Sequence, residues 1–333
     1  MSTVLDLFAG AGGLSQGLED AGLEVAAASE WDTDALTTYA KSHPTAATYP
    51  GNVKDVDFKS FRGAIDVVAG GPPCQPWSDG GKGLGHDDRR DGFPAFIQAV
   101  GEIRPRAFII ENVVGLTRGT QRVHLLRIVE NLEDLGYEVT AQVLSAADFG
   151  VPQRRKRLFI VGTVSAGFTW PVPTHGDARA QRLPAAGDTL RLDSVLGEPN
   201  TSVVTYAKHP DPRPSPYDGL LFNGGGRPID LTGLAPTLLA SMGGNKTPWV
   251  DTHGVVPGYH AHLVAGGEPR AGVVPGARRI TVTEAAELQT FPKSTIFAGP
   301  RSSQYRQIGN AVPPLLARAV GRAVVGYLAG QCY

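Results

Sequence analysis

The chain has 333 residues, 41 % of them apolar and 19 % charged, with a formal net charge of −1. That length fits one large domain or two ordinary ones, the apolar share supports a sizeable core, and the low charge excludes wholesale disorder. Two cysteines, Cys74 and Cys332, exclude a disulfide scaffold and a Cys-rich zinc site, and the near-zero charge means that a polyanion must be bound by local patches.

The first half alternates strand and helix patterns. Residues 3–8 are a short apolar run ending in glycines, 11–20 read as a helix, 24–29 as a second strand, and 32–42 as a helix capped by Asp32. A buried strand is expected at 65–69, a helix at 93–103, a strand at 107–110, a helix at 123–135, and late strands at 139–145 and 158–162. Such alternation predicts an α/β fold, a mostly parallel sheet with helices on both faces. Near Trp170 the character changes. Residues 171–277 are rich in Gly, Pro, Thr and Asp and lose helical periodicity, which predicts a second, smaller, loop-rich domain. Helical pattern returns at 283–290, and a last helix over 314–329, apolar on most faces, is expected to pack on the first domain. The division read from this is 1–170 plus 293–333 as the first domain, 171–277 as the second, and 278–292 as a connecting hinge. No signal-peptide pattern opens the chain and no window of about 18 apolar residues occurs, so a cytoplasmic protein is expected.

Two turns stand out. Asp6-Leu7-Phe8-Ala9-Gly10-Ala11-Gly12-Gly13-Leu14-Ser15 follows the first strand and opens a helix. Glycines there allow a tight turn and close backbone approach to a ligand. Glu30 ends the next strand about twenty residues on, where an acid commonly binds ribose hydroxyls, and Trp31 beside it suits stacking on adenine. Ser15 stands where a dinucleotide fingerprint has its third glycine. That disfavours nicotinamide and leaves an adenosine-containing ligand, or a plain strand-to-helix turn.

The second turn is Gly70-Gly71-Pro72-Pro73-Cys74-Gln75-Pro76-Trp77-Ser78 after the strand at 65–69. The prolines mount Cys74 rigidly just past a strand's carboxyl end, where open α/β sheets bind ligands and where a nucleophile is well placed. A buried apolar filler is the alternative for this cysteine. Residues 78–92, with five glycines and an acidic–basic run, read as a mobile lid.

Both turns together resemble the DNA (cytosine-5)-methyltransferase family, in its bacterial restriction–modification form. Further motifs follow in that family's order. They are Glu111-Asn112-Val113 after a strand, Gln153-Arg154-Arg155-Lys156-Arg157 before one, Arg279 to Pro292, and Gln307-Ile308-Gly309-Asn310-Ala311-Val312-Pro313 opening the last helix. The resemblance covers nearly all of 1–163 and 278–325.

The resemblance implies a Rossmann-like S-adenosylmethionine-dependent sheet beside a loop-rich target-recognition domain. It implies methyl transfer to carbon 5 of a cytosine flipped out of duplex DNA. Cys74 would supply the thiolate that adds to carbon 6. Glu111 would meet ring nitrogen 3 and the exocyclic amine as a carboxyl of raised pKa. Strand alternation puts Gln153, Arg155 and Arg157 on one face. Arg155 matches the residue expected to hold the cytosine carbonyl oxygen, with Arg157 supporting it or ordering the site. Cofactor contacts are expected from Asp6, Phe8, Ala9, Gly10, Gly12, Gly13, Leu14, Glu30, Trp31, Gly71, Pro73, Asn310 and Ala311. Asn52 and Val53 join them, although the family commonly has aspartate where Asn52 stands. DNA contacts are expected from Gln75, Ser78, Arg154, Arg227, Thr237 and Lys246, the last three in a glycine-rich stretch suited to a DNA groove. No metal is expected, since His260 and His262 lack a completing Cys or acid cluster. Double-stranded DNA is the expected partner, a cognate restriction endonuclease a further one, and a monomer without membrane attachment the expected state. The nearest rival substrate is transfer RNA. A DNA-binding protein without catalysis and a nicotinamide oxidoreductase are the rivals from other classes.

Overall fold

In the computed structural model, which describes residues 1–73, 91–177, 179–192, 194–210 and 227–330, the alternating first half forms one sheet. Its elements in chain order are β1 (Thr3–Leu7), α1 (Gly13–Asp20), β2 (Glu24–Glu30), α2 (Thr33–Ser42), β3 (Ala47–Pro50), β4 (Val67–Gly70), α3 (Phe93–Ile103), β5 (Ala107–Val113), α4 (Gln121–Glu133), β6 (Glu138–Ser145) and β7 (Lys156–Thr163). Among the described residues, seven strands lie in the order β3-β2-β1-β4-β5-β7-β6. The first five pair in parallel, while β7 runs antiparallel to both its neighbours. Strand alternation sends successive side chains to opposite cores. Val4, Val67, Ile109 and Phe159 lie in one; Leu5, Val68, Phe108, Ile110 and Ile160 lie in the other. The first core is closed by α1 and by the last helix, α8 (Pro314–Gly330), through Leu14, Leu18, Leu316 and Val320. The second is closed by α3 and α4 through Phe96, Val100, Ile128 and Leu132.

The later part adds β8 (Pro228–Ile229), β9 (Trp249–Asp251), α5 (Val255–Val264), β10 (Ala277–Arg279), α6 (Val282–Leu288) and α7 (Arg301–Asn310). Strands β10, β9 and β8 form a small second sheet. One core joins Ile229, Leu238 and Val250 to Ala285 and Leu288 of α6, to Tyr305 and Ile308 of α7, and to Ala11 of the first glycine turn. The segment 278–292, expected as a hinge, therefore adds a strand to the small sheet and, through α6, a helix to this core. Among the described residues no helix is long and apolar enough to cross a membrane.

Besides the three short strands of the small sheet, three elements escaped the sequence reading. Strand β3 is an exposed edge ending in Pro50, so it shows no apolar alternation. Helix α5 carries Pro257 and Gly258 early, but proline is tolerated in a first turn, and the Asp251 carboxylate caps Val255 and Val256 at 3.0 and 2.8 Å. Helix α7 buries Ser303 and Gln307, a polar face satisfied by tertiary bonds such as Thr38 Oγ1 to Gln307 Oε1 at 2.6 Å. For the same reason Gln307–Asn310 end α7 rather than open the last helix.

Candidate active site

The parallel strands β1, β4 and β5 all deliver their carboxyl ends to one edge, and the strand order reverses between β1 and β4, where ligands bind in open α/β sheets. Leu7 lies opposite Gly70 and Gly70 opposite Ile110, so the turn after β1, the segment after β4 and Glu111 are side by side. Phe8 holds a left-handed φ of 60°, uncommon for an aromatic residue and the kind of strain that clusters at ligand sites. Gly10 has φ 56° and open space where a side chain would stand, so the turn presents bare backbone. At Gly13 a side chain would meet the Val312 carbonyl at 2.4 Å, which fixes the turn against the lead into α8.

Glu30 ends β2 with its carboxylate folded onto the turn. Oε2 accepts from Gly10 N at 2.8 Å, and Oε1 accepts from Trp31 N and Asp32 N at 2.9 and 2.8 Å. Burial raises its pKa, opposed by those three backbone N–H groups. The Trp31 indole is 77 % exposed beside it, and Asn52 is exposed with Oδ1 accepting from Lys54 N, while Val53 is buried. Asp6, expected as a cofactor contact, is instead enclosed beneath the turn. Its Oδ2 accepts from Ser15 Oγ at 2.6 Å, and Ser15 Oγ also meets Tyr39 OH at 2.8 Å. Ala9 and Leu14 likewise face the core.

After β4 the chain runs Gly71-Pro72-Pro73 along β5. Asn112 Nδ2 donates to the Pro72 carbonyl at 2.9 Å, and Asn112 Oδ1 accepts from Val113 N. The Glu111 carboxylate lies against Gly71 and forms an ion pair with Arg157, Oε1 to Nε 2.8 Å, with both side chains largely enclosed. Burial raises the Glu111 pKa, opposed first by the Arg157 charge and then by that of Arg155. Cys74, Gln75, Trp77, Ser78 and most of the expected lid at 78–92 lie outside the described residues, as do Cys332 and the triplet at 224–226.

The alternation read in 153–157 holds: Gln153 and Arg155 are fully buried, Arg154 and Lys156 exposed. The role expected for Arg155 does not. Its Nη1 donates to the Leu238 carbonyl at 3.0 Å and its Nη2 to the Gly309 and Ala311 carbonyls at 3.0 and 2.7 Å. Those three bonds turn the guanidinium, which has no exposed surface, toward Leu238 and residues 309–311, while its Nε has no hydrogen-bond partner among the described residues; Arg157 is the arginine paired with Glu111. Thr237 is partly buried and donates its hydroxyl to the Arg154 carbonyl, while Arg227, Lys246 and Asn310 are exposed. Sequence reasoning passed over Asn112 and Gln289. The first is visible only as the middle of Glu111-Asn112-Val113, and the second as a polar residue closing an apolar helix.

Comparison with known proteins decides what this edge belongs to. The family model described as C-5 cytosine-specific DNA methylase matches residues 2–204 and 249–326. This chain belongs to that family. It is a DNA (cytosine-5)-methyltransferase. It is 34 % identical to the type II methyltransferase M.Eco47II of Escherichia coli over 98 % of this chain and 79 % of that one. It is 32 % identical to M.NgoMIV of Neisseria gonorrhoeae over 97 % of both chains. Among solved structures its fold is similar to that of the S. pombe Dnmt2 methyltransferase, with TM-score 0.70, 15 % identity and all of both chains covered. The Spodoptera frugiperda DNMT2 fold is also similar, with TM-score 0.69, 19 % identity, and 98 % of this chain and 100 % of that one covered.

Family and fold make the enzyme S-adenosylmethionine-dependent, and the first glycine turn fits that molecule. Bare backbone at Gly10, a buried Glu30 carboxylate with acceptor capacity left over three backbone bonds, and an exposed indole at Trp31 lie together at this turn. Among the described residues no group of His, Cys, Asp or Glu is gathered as metal ligands.

Proposed function

We propose that this methyltransferase acts on a cytosine flipped out of a short, specific duplex DNA site, through a transient bond between Cys74 and carbon 6. One observation carries the reading. An enclosed Glu111–Arg157 pair lies at the carboxyl edge, against the segment that reaches Cys74 in the next residue after Pro73. The Cys74 thiolate forms the sulfur–carbon 6 bond, and the displaced ring electrons are taken up as nitrogen 3 accepts the Glu111 proton. Burial raises the pKa of this carboxyl and so favours its holding that proton. Arg157, rather than Arg155, orients Glu111 and faces the cytosine carbonyl oxygen. When bound at Gly10, Glu30, Trp31, Asn52 and Val53, S-adenosylmethionine supplies the sulfonium methyl group for carbon 5. Loss of the carbon 5 proton to solvent then expels the thiolate and restores the ring, and Glu111 recovers its proton.

Residues 171–277 read the target, with Arg154, Arg227 and Lys246 toward phosphates or bases and Gln75 and Ser78 beside the flipped base. Protection of host DNA in a restriction–modification pair, as the bacterial relatives' being type II methyltransferases suggests, is the proposed role, with a monomeric enzyme in the cytoplasm. Conversion-based sequencing of mixed-sequence duplex DNA, after incubation with enzyme and S-adenosylmethionine, tests the reading. Protected cytosines in one recurring short context are expected, and none after Cys74→Ser. Unprotected DNA with intact cofactor binding would overturn the duplex substrate, and methylation surviving Cys74→Ser would overturn the covalent step.

A further inference from the structure

The target-reading segment is fastened to the catalytic edge by a buried polar cluster outside the chemistry. Gln153 and Gln289 are both fully buried and face each other, Gln153 Nε2 donating to Gln289 Oε1 at 2.6 Å. Gln153 Oε1 accepts from Leu238 N at 3.0 Å, so one carboxamide holds the recognition segment and α6's end at once. Gln289 Nε2 in turn donates to the Ile308 and Ala311 carbonyls at 3.0 and 2.7 Å. Arg155 closes the ring through the Leu238, Gly309 and Ala311 carbonyls. Backbone bonds run alongside, Arg154 N to Ala235 O at 2.8 Å and Ala235 N to Pro152 O at 3.0 Å. Gly309 completes the clamp, because its Cα lies so close to the Leu239–Ala240 backbone that a side chain there would meet it at 2.3 Å. The segment from Ala235 to Ala240 is thus held between 152–155 on one side and 308–311 on the other. Leu239 nevertheless remains 57 % exposed.

Three details make this more than ordinary core packing. Buried carboxamides are expensive unless every donor and acceptor is satisfied, and an apolar core would have served equally for stability alone. Hydrogen bonds fix register along a backbone, whereas apolar contacts permit sliding. The strand that begins two residues after Gln153's neighbour Arg154 carries Arg157, the partner of Glu111. A slip between 153–155 and 235–240 would therefore move the base-reading side chains relative to the reacting pair.

We propose that Gln153 and Gln289, with Arg155, form a register staple that holds the recognition segment on the catalytic edge, and that Gln289 is a positioning residue for site discrimination. This rests on the duplex-DNA reading above. Gln289 touches no reacting atom, and its hydrogen bonds run to Gln153, Ile308 and Ala311 rather than to Gly10, Glu30 or Trp31.

The test uses the full-length enzyme and duplex oligonucleotides carrying its sequenced target or single-base-pair variants of it. Gln289→Ala removes both arms of the staple. Gln289→Met removes the same hydrogen bonds while filling the space with a neutral side chain, and serves as the milder variant if the first folds poorly. Each is expected to lower the ratio of kcat/KM for the target to that for the variant sites about tenfold or more, mainly through KM for DNA. The S-adenosylmethionine Kd from calorimetry should stay within about twofold of wild type. Amide hydrogen exchange over 235–242 should quicken, since the Gln153 carboxamide that accepts from the Leu238 N–H loses its own partner. Full discrimination and unchanged exchange in folded variants, with only a lowered Tm, would overturn the staple. A wild-type enzyme that methylates no duplex DNA would overturn the reading beneath it, which is a different failure.

Discussion

Asp6 makes the support beneath the cofactor turn measurable. Its carboxyl is fully enclosed, Oδ2 is bonded to Ser15, and Oδ1 has no hydrogen-bond partner among the described residues. Burial is the largest influence and raises its pKa from 3.8 to about 7, opposed by the Ser15 hydrogen bond and the neighbouring His43. The unfolded chain releases this proton near 3.8 and the folded chain only near 7, so between those values the folded state holds more protons. The stability this group confers is complete below about pH 4 and is lost as pH rises through 7. About three pKa units correspond to ~4 kcal/mol, of which ~2.5 kcal/mol is lost between about pH 5 and pH 8. In a chain of this length that is ~4 °C in Tm. Asn at this position keeps an acceptor for Ser15 and cannot ionise. Thermal unfolding of wild type and Asp6→Asn in matched buffers isolates the group, because every other titration cancels in the difference. The variant's Tm, relative to wild type, should climb by ~4 °C from about pH 5 to pH 8. Parallel curves would refute the reasoning, since Asp6 would then titrate alike in folded and unfolded chains.

Trp31→Ala should weaken S-adenosylmethionine binding about tenfold in calorimetry while moving stability by less than ~0.5 kcal/mol, because the exposed indole supports no core. Gly13→Ala should lower the unfolding free energy by about 1–3 kcal/mol in denaturant titration, the new methyl meeting the Val312 carbonyl, which belongs to rigid backbone. Arg157→Gln removes the charge that most opposes the raised Glu111 pKa. The alkaline limb of kcat should then move to higher pH even as the rate falls, and a limb that moves down or stays would remove Glu111 as the proton donor.

Much of this protein is legible along the chain alone. Continuous apolar runs such as 107–110 and capped amphipathic stretches such as 32–42 specify local structure, because a strand buried on both faces and a capped helix are each set over a few residues. The first glycine turn is likewise readable, since a tight turn with close backbone approach demands glycines at fixed spacing. Asp32 caps α2 as read, accepting from Asp34 N and Ala35 N. What the chain alone could not decide is where a polar group finds its partner. Arg155 and Arg157 are two residues apart and share a face, so pattern cannot tell which meets Glu111. The carbonyls of Leu238, Gly309 and Ala311, distant in sequence, claim Arg155 and leave Arg157 for the site. Helix α7 was missed for the same cause. Its buried Ser303 and Gln307 look solvent-facing until Thr38 and the Ala298 carbonyl are brought against them. Apolar burial leaves a periodic trace in sequence because any apolar neighbour will do, whereas a buried hydrogen bond needs one particular partner, and only the tertiary fold supplies it.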